Sequence, residues 1–431
     1  MAESKKAAAA RRRKKIAWRR RKQRQKRILI AIALVCLIAL IGMLIISGIA
    51  RKNRAQQSPA ATAIPTAEPT AIVTLAPTLI PTAAPTAEPT SAPTETPTIV
   101  PTEAPTVEPA PEKVTIKITA AGDCTLGGDV PSGRDENFAS YFDKYGADYF
   151  FQNVRAVFEN DDFTIVNLEG PLSTSTDKRS GRQFNFRGRP EYVQILTGSS
   201  VEACNIANNH ALDYGKQGVS DTAALLQNNG IGACGFGYEY TTEIKGKTIT
   251  SLGFTEWDYS DDELKAAVRA AREKSDLVIV SIHWGEEKVY KTLKNQRRLG
   301  RLLVDAGADL VLGTHSHVYG GIELYNGKYI VYGLGNFCFG GHRNPSEKNC
   351  IMFQQTFEFD ENGAADAGIS IIPARISGKN DSNDFQPYVQ DIQSGAELLG
   401  KIGALSTELD FASIRWAADS YEVVGGLVAA N

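Results

Sequence analysis

Six side chains able to hold a divalent cation recur directly after short apolar runs. Asp123 follows ITAAG, Glu169 follows IVNL, Asn209 closes CNIANN and is followed by His210, His283 follows VIVSI, and His315 and His317 follow LVLGT. Carboxylate oxygens, an amide oxygen and imidazole nitrogens form the donor set that hard or borderline divalent ions take, and one carboxylate can bridge two ions. The chain has five histidines, and four of them fall at these positions. Taken singly, each residue has a plainer explanation, a turn or cap for the Asp and a packed or surface ring for the His. Their recurrence after separate buried runs is what points to a site for one or two ions.

The runs that carry them read as strands. VTIKITAA (114–121), DFTIVNL (162–168), DLVIVSI (276–282) and DLVLG (309–313) are short, rich in β-branched residues and nearly continuous in apolar character, as in sheets covered on both faces. Helical periodicity alternates with them around 138–159, 215–229, 261–274 and 295–306. From Gly320 to Ile372 the pattern changes to consecutive strands, with turns at Asn326–Gly327 and Asn362–Gly363. Alternation followed by a meander predicts two sheets packed face to face with helices outside, a four-layer α/β/β/α sandwich. In such folds the carboxyl ends of neighbouring strands open on one crevice, which is how five separate segments can bring their polar residues together.

The segments before this domain cannot build a core. Residues 1–27 carry 14 Lys or Arg against Glu3 alone and read as a disordered basic arm. An uncharged apolar stretch follows, and the span 28–50 is long enough for an uncleaved transmembrane helix rather than the shorter apolar region of a signal peptide. The excess of positive charge ahead of it places the N-terminus in the cytoplasm and the rest of the chain outside. Topology together with attraction to anionic lipid accounts for the basic arm, so nucleic acid is not an expected partner. Residues 51–112 form a linker that holds 13 of the 19 prolines, with Pro-Thr recurring every four residues from Pro65 to Thr106 except where Val73 replaces Pro. This composition gives an extended, polyproline-like stalk. Residues 1–54 contain 17 bases and one acid, which leaves 30 bases and 48 acids, a formal net of −18, for the outer part. Its cysteines, Cys124, Cys204, Cys234, Cys338 and Cys350, make no CxxC pair and read mainly as small buried hydrophobes.

Seven motifs, in order, resemble those of the CapA family of bacterial capsule synthesis, which includes PgsA-like proteins of poly-γ-glutamate synthesis. They are AGDCTLGGD (121–129), VNLEGPLS (166–173), NFRGRPE (185–191), NIANNHALDYG (205–215), SIHWGEE (281–287), GTHSHV (313–318) and YGLGNF (332–337). The family in turn is similar to calcineurin-like metallophosphoesterases. The resemblance implies a site for one or two ions of Mn, Zn or Fe, with Asp123 and His317 on one, Asn209, His283 and His315 on the other, and Glu169 between them. It also implies a proton-donating or transition-state-stabilising role for His210, whose ring Asp213 would orient, and a supporting role for Asn336 behind a ligand. Two departures stand out. Thr125 occupies a position where the phosphoesterases carry His, which leaves the first ion about three protein ligands unless Asp129 contributes, and the bridging carboxylate is a Glu in NLEG.

Between the Glu169 and Asn209 motifs, KRSGRQFNFRGRP (178–190) gathers Arg179, Arg182, Arg187 and Arg189, whose guanidinium groups suit carboxylate or phosphate. The expected partners are therefore an anionic polymer or a phosphate ester, the membrane, and other membrane subunits of capsule synthesis. Three functions remain open from the residues. One is a membrane-anchored role in synthesis, assembly or export of an anionic capsule polymer such as poly-γ-glutamate; another is an extracytoplasmic divalent-metal-dependent phosphoesterase; the third is a non-catalytic wall-binding module with a structural metal.

Overall fold

The computed structural model of the chain describes residues 113–129, 137–361, 363–406, 421–424 and 427–430. The expected basic arm, membrane span and stalk lie outside the described residues. Among those described, no helix is long and apolar enough to cross a membrane.

The fold is mixed α/β with several sheets. In the larger sheet the strands run in the order Tyr388–Val389, Gly363–Arg375, Asn349–Asp360, Val114–Thr125, Phe163–Leu168, Ala203–Asn205 and Gly232–Cys234, and Asn336–Phe339 pairs with the end of Val114–Thr125. The second sheet runs Ile322–Tyr325, Lys328–Val331, Leu310–Thr314, Leu277–His283, Lys247–Thr255 and Tyr240–Ile244. Its inner pairings are parallel and its edge pairings antiparallel.

Strand alternation decides which side chains meet. Ile116, Ile118 and Ile165 of the larger sheet share one apolar cluster with Ile249, Ile279 and Leu310 of the smaller. The intervening positions face away: Val166 and Cys204 pack with Phe150, Phe151 and Leu226, while Val278, Val280 and Val311 pack with Leu264, Val268 and Leu303. Each aliphatic side chain so buried is worth about 1.5–3 kcal/mol relative to exposure.

One helical expectation needs amending. The run 138–159 is not one helix but three short ones, Phe138–Tyr145, Asp148–Phe151 and Arg155–Glu159. The first ends at Gly146, whose φ of 78° a helix cannot continue through. The five described cysteines match their reading: all are buried and free.

A tight backbone approach sets the position of the first metal-type residue. Along Val114–Thr125 the register with Phe163–Leu168 shifts between Ala121 and Asp123. Gly122 lies at this irregularity, where a Cβ would sit 1.9 Å from the Gly335 carbonyl oxygen. Asp123 N–H donates to that same carbonyl at 2.9 Å. Gly122→Ala should therefore lower stability by about 2 kcal/mol or more. Gly400→Ala, on an exposed helical position with nothing within 4 Å of the added methyl, should be neutral or stabilising by up to about 1 kcal/mol. Urea unfolding midpoints of the two variants check this, and equal midpoints would contradict the account of Gly122.

Candidate metal centre

Two cross-strand polar rows, one in each sheet, build the site. In the larger sheet Asn205, Asn167, Asp123 and Asn336 lie in register on four neighbouring strands. Asn205 Nδ2 donates to Asn167 Oδ1 at 3.1 Å, and Asn167 Nδ2 donates to Asp123 Oδ1 at 2.8 Å. In the smaller sheet Thr255, His283 and Thr314 are in register, with His283 Nδ1 2.9 Å from Thr314 Oγ1. The Thr314 contact leaves the opposite ring nitrogen of His283, Nε2, to face the centre.

The strand ends bring the six metal-type residues into one cluster. Asp123 Oδ2 lies 3.2 Å from His317 Nδ1. Asn209 Oδ1 lies 3.0 Å from His283 Nε2, which in turn is 3.1 Å from His315 Nδ1. Glu169 stands between these sets, its Oε1 3.8 Å from both His317 Nε2 and His283 Nε2. Asp123, Glu169 and His317 each present a ligand atom within 4.8 Å of the others. The bend past Leu310–Thr314 aims both of its histidines inward by holding them in the left-handed region, His315 at φ 88° and His317 at φ 56°. Such residues cost about 1–3 kcal/mol each and persist only where the surroundings impose them.

Electrostatics mark the cluster as short of positive charge. Asp123, Glu169 and His283 are completely or almost completely buried. Glu169 Oε2 accepts from Thr125 Oγ1 at 3.1 Å, whereas Oε1 has no hydrogen-bond partner. Burial raises the Glu169 carboxyl to about 7, against the pull of His317. Burial opposes charge on His317 too, but Glu169 and Asp123 outweigh it and lift that ring to about 10. His283 is held well below the usual imidazole range by burial and then by its histidine neighbours, and His315 is lowered to about 4 by burial and then by the charge on His317. Neutral imidazoles beside buried carboxylates, one with an orphaned oxygen, form a donor set that fits a divalent cation.

The supporting residues can be placed as well. His210 Nδ1 is 2.5 Å from Asp213 Oδ2, which also accepts from Phe186 N–H at 2.8 Å, and the His210 ring stacks on Phe186 with centroids 4.0 Å apart. Asn336 Oδ1 accepts from His317 Nδ1 at 2.9 Å and its Nδ2 donates to the His317 carbonyl at 3.2 Å, so it holds that residue at both ends. A cavity of about 240 Å³ opens over His210, His317 and Asn336. Asp129 is not in the cluster but pairs with Lys178 at 2.9 Å.

Of the arginines, Arg182 donates to the Asn209 carbonyl at 3.3 Å, beside the centre. The backbone N–H of Arg179 donates to the Asp213 carbonyl at 2.8 Å. Arg187 lies over the Tyr214 ring and donates to the Ser175 carbonyl, and Arg189 pairs with Asp143 over the Tyr192 ring. These last two tie the loop to neighbouring segments. Sequence reasoning missed Asn167, Asn205 and Asn208. Asn208 Oδ1 accepts from the backbone N–H of both Gly170 and His210, tying the Glu169 and His210 segments together. The available signal was a polar residue inside an otherwise apolar strand, as at Asn167 in TIVNL.

A family model described as "Bacterial capsule synthesis protein PGA_cap" matches residues 117–341, which include every residue of the cluster. The chain belongs to this family. This PGA_cap member is 33% identical over 315 residues to the PGA biosynthesis protein CapA of Bacillus subtilis, an alignment covering 66% of the chain and 81% of that protein. It is 27% identical over 281 residues to the capsule biosynthesis protein CapA of Bacillus anthracis, covering 58% and 67% respectively. With a probable polyglutamine synthesis accessory protein of Mycobacterium tuberculosis it shares 31% identity over 263 residues, covering 52% and 68%.

The charge balance sets a pH dependence for the protein stripped of ions. Glu169 and His317 both hold a proton more tightly folded than unfolded, so their contributions to stability fall as pH rises, and the lowered His283 and His315 oppose this only below about 6.5. The Glu169 contribution is full below about 4.5 and is lost as pH passes about 7; that of His317 is full below about 6.5 and is lost as pH passes about 10. In chelator, the melting temperature should fall between pH 7 and 10, and His317→Gln should flatten that limb. An unchanged alkaline limb in the variant would contradict this assignment.

Proposed function

We propose that this PGA_cap-family protein is a membrane-anchored component in the synthesis, assembly or export of an anionic capsule polymer such as poly-γ-glutamate, with its C-terminal domain outside the cell. The observation that carries this reading is the match of residues 117–341 to the capsule-synthesis family, reinforced by relatives named for PGA, capsule and polyglutamine synthesis. Residues 28–50 would supply the anchor and 51–112 the spacer. The shared apolar layer with outer helices is read as the four-layer α/β/β/α sandwich of metallophosphatases.

In this reading Asp123 and His317 would hold one divalent ion, Asn209, His283 and His315 a second, and Glu169 would serve both. The ions would supply Lewis acidity toward a phosphoryl or carboxylate oxygen. Asn336 steadies His317, and Arg182 offers a cation at the rim. Other membrane subunits of polymer synthesis would act beside it.

One arrangement favours a second reading, a phosphoesterase. The His210–Asp213 pair opens on the same cavity as His317, with the ring fixed by Phe186, as a general acid requires. The polymer reading leads because Thr125, a weak donor bound to Glu169, stands where an enzyme of that class carries a histidine ligand.

Separate substitutions distinguish the two. In cells lacking the native gene, Glu169→Ala should reduce cell-associated polymer to the level of the deletion, while His210→Asn should retain at least half of the wild-type yield. Purified wild-type protein should not hydrolyse phosphate monoesters or diesters above the free-metal background. Turnover by wild type that drops roughly 100-fold in His210→Asn with unchanged metal content would make the protein a phosphoesterase.

A further inference from the structure

Four large hydrophobic side chains are conspicuously exposed among the described residues, and two of them, Trp257 and Phe184, stand at the candidate centre. The Trp257 side chain belongs to a residue 46% exposed, yet its ring makes edge contacts with His315 at 5.2 Å and His283 at 6.0 Å. Phe184, also 46% exposed, stacks at 6.4 Å on Phe186, which stacks on His210. Arg182, two residues before Phe184, donates to the carbonyl of Asn209, whose own side chain meets His283.

An indole left in water is an unfavourable use of apolar surface. Here the rings it meets are the imidazoles of His315 and His283, two of the metal-type residues. The centre suits an anion bound through cations, and the rings beside it suit a flat or faceted group covalently attached to that anion.

We propose that the cleft takes a ligand in which a ring is joined to a phosphate, a phosphate ester of a sugar or nucleoside, with the phosphate toward Glu169 and the histidines and the ring against Trp257. Trp257 is then a specificity-determining contact rather than part of the ion-holding set. The inference rests on the metal-centre reading above and adds the class of ligand that the centre accepts.

Titration calorimetry of the full chain loaded with Mn²⁺ tests this, using inorganic phosphate, glycerol phosphate, N-acetylglucosamine 1-phosphate and adenosine monophosphate as probes. At least one ring-bearing ester should bind roughly tenfold tighter than glycerol phosphate, the scale of one good aromatic contact. Trp257→Ala should remove that preference and Trp257→Phe restore most of it, with inorganic phosphate affinity unchanged in both. Preference for the sugar ester or for the nucleotide identifies the source of the ring. Equal affinity for all the esters in wild type, or a preference that survives Trp257→Ala, overturns the inference while leaving the centre intact. Failure of every probe, inorganic phosphate included, would sink the anion-binding reading of the centre and the inference with it.

Discussion

The centre depends on an electrostatic imbalance: two carboxylates, Asp123 and Glu169, are buried side by side, and one oxygen of Glu169 has no hydrogen-bond donor. An unsatisfied buried polar atom costs about 1–3 kcal/mol, and more when charged. Without an ion the deficit is met by protons, held on Glu169 up to about 7 and on His317 up to about 10. The neighbouring His283 and His315 stay neutral, so the protons do not spread over the whole cluster. A divalent cation is the group that would discharge both carboxylates at once and use the neutral imidazoles as ligands.

That imbalance is maintained by the sheets. The Asn205–Asn167–Asp123 ladder fixes Asp123 from one side, and the Thr314 contact fixes His283 from the other, so the two rows face each other across the crevice without rotamer freedom. Gly122 permits the irregularity that delivers Asp123, and Gly253 permits the approach of the sheets where Asn205 sits, since a Cβ there would lie 2.3 Å from Asn205 Oδ1. The two left-handed histidines add local strain that the packed strands around them sustain. Function and packing therefore draw on the same residues.

Much of this was legible in the chain. The polar residues that end buried apolar runs, Asp123, Glu169, His283, His315 and His317, do meet, because a parallel strand has only one end from which to present a side chain to the crevice. His210 and Asp213 were legible as a pair through the family resemblance, which implied that Asp213 orients the ring. The asparagine ladder was not, since cross-strand register is a long-range property that no local pattern encodes. Nor was the fate of Arg187 and Arg189, whose partners Tyr214 and Asp143 lie in other segments. Trp257 escaped for the same reason: a lone tryptophan in TEWDYS carries no mark of the histidines it meets. The break at Gly146 was hidden by apolar periodicity that runs on through three short helices.

The most direct test of the account is an anomalous-scattering map from crystals grown with Mn²⁺. Density is expected at Glu169 Oε1, the oxygen that lacks a donor, with one peak toward Asp123 and His317 and a second toward Asn209, His283 and His315. Crystals with no anomalous density at this carboxylate, and with Oε1 instead hydrogen-bonded to a protein donor, would contradict it.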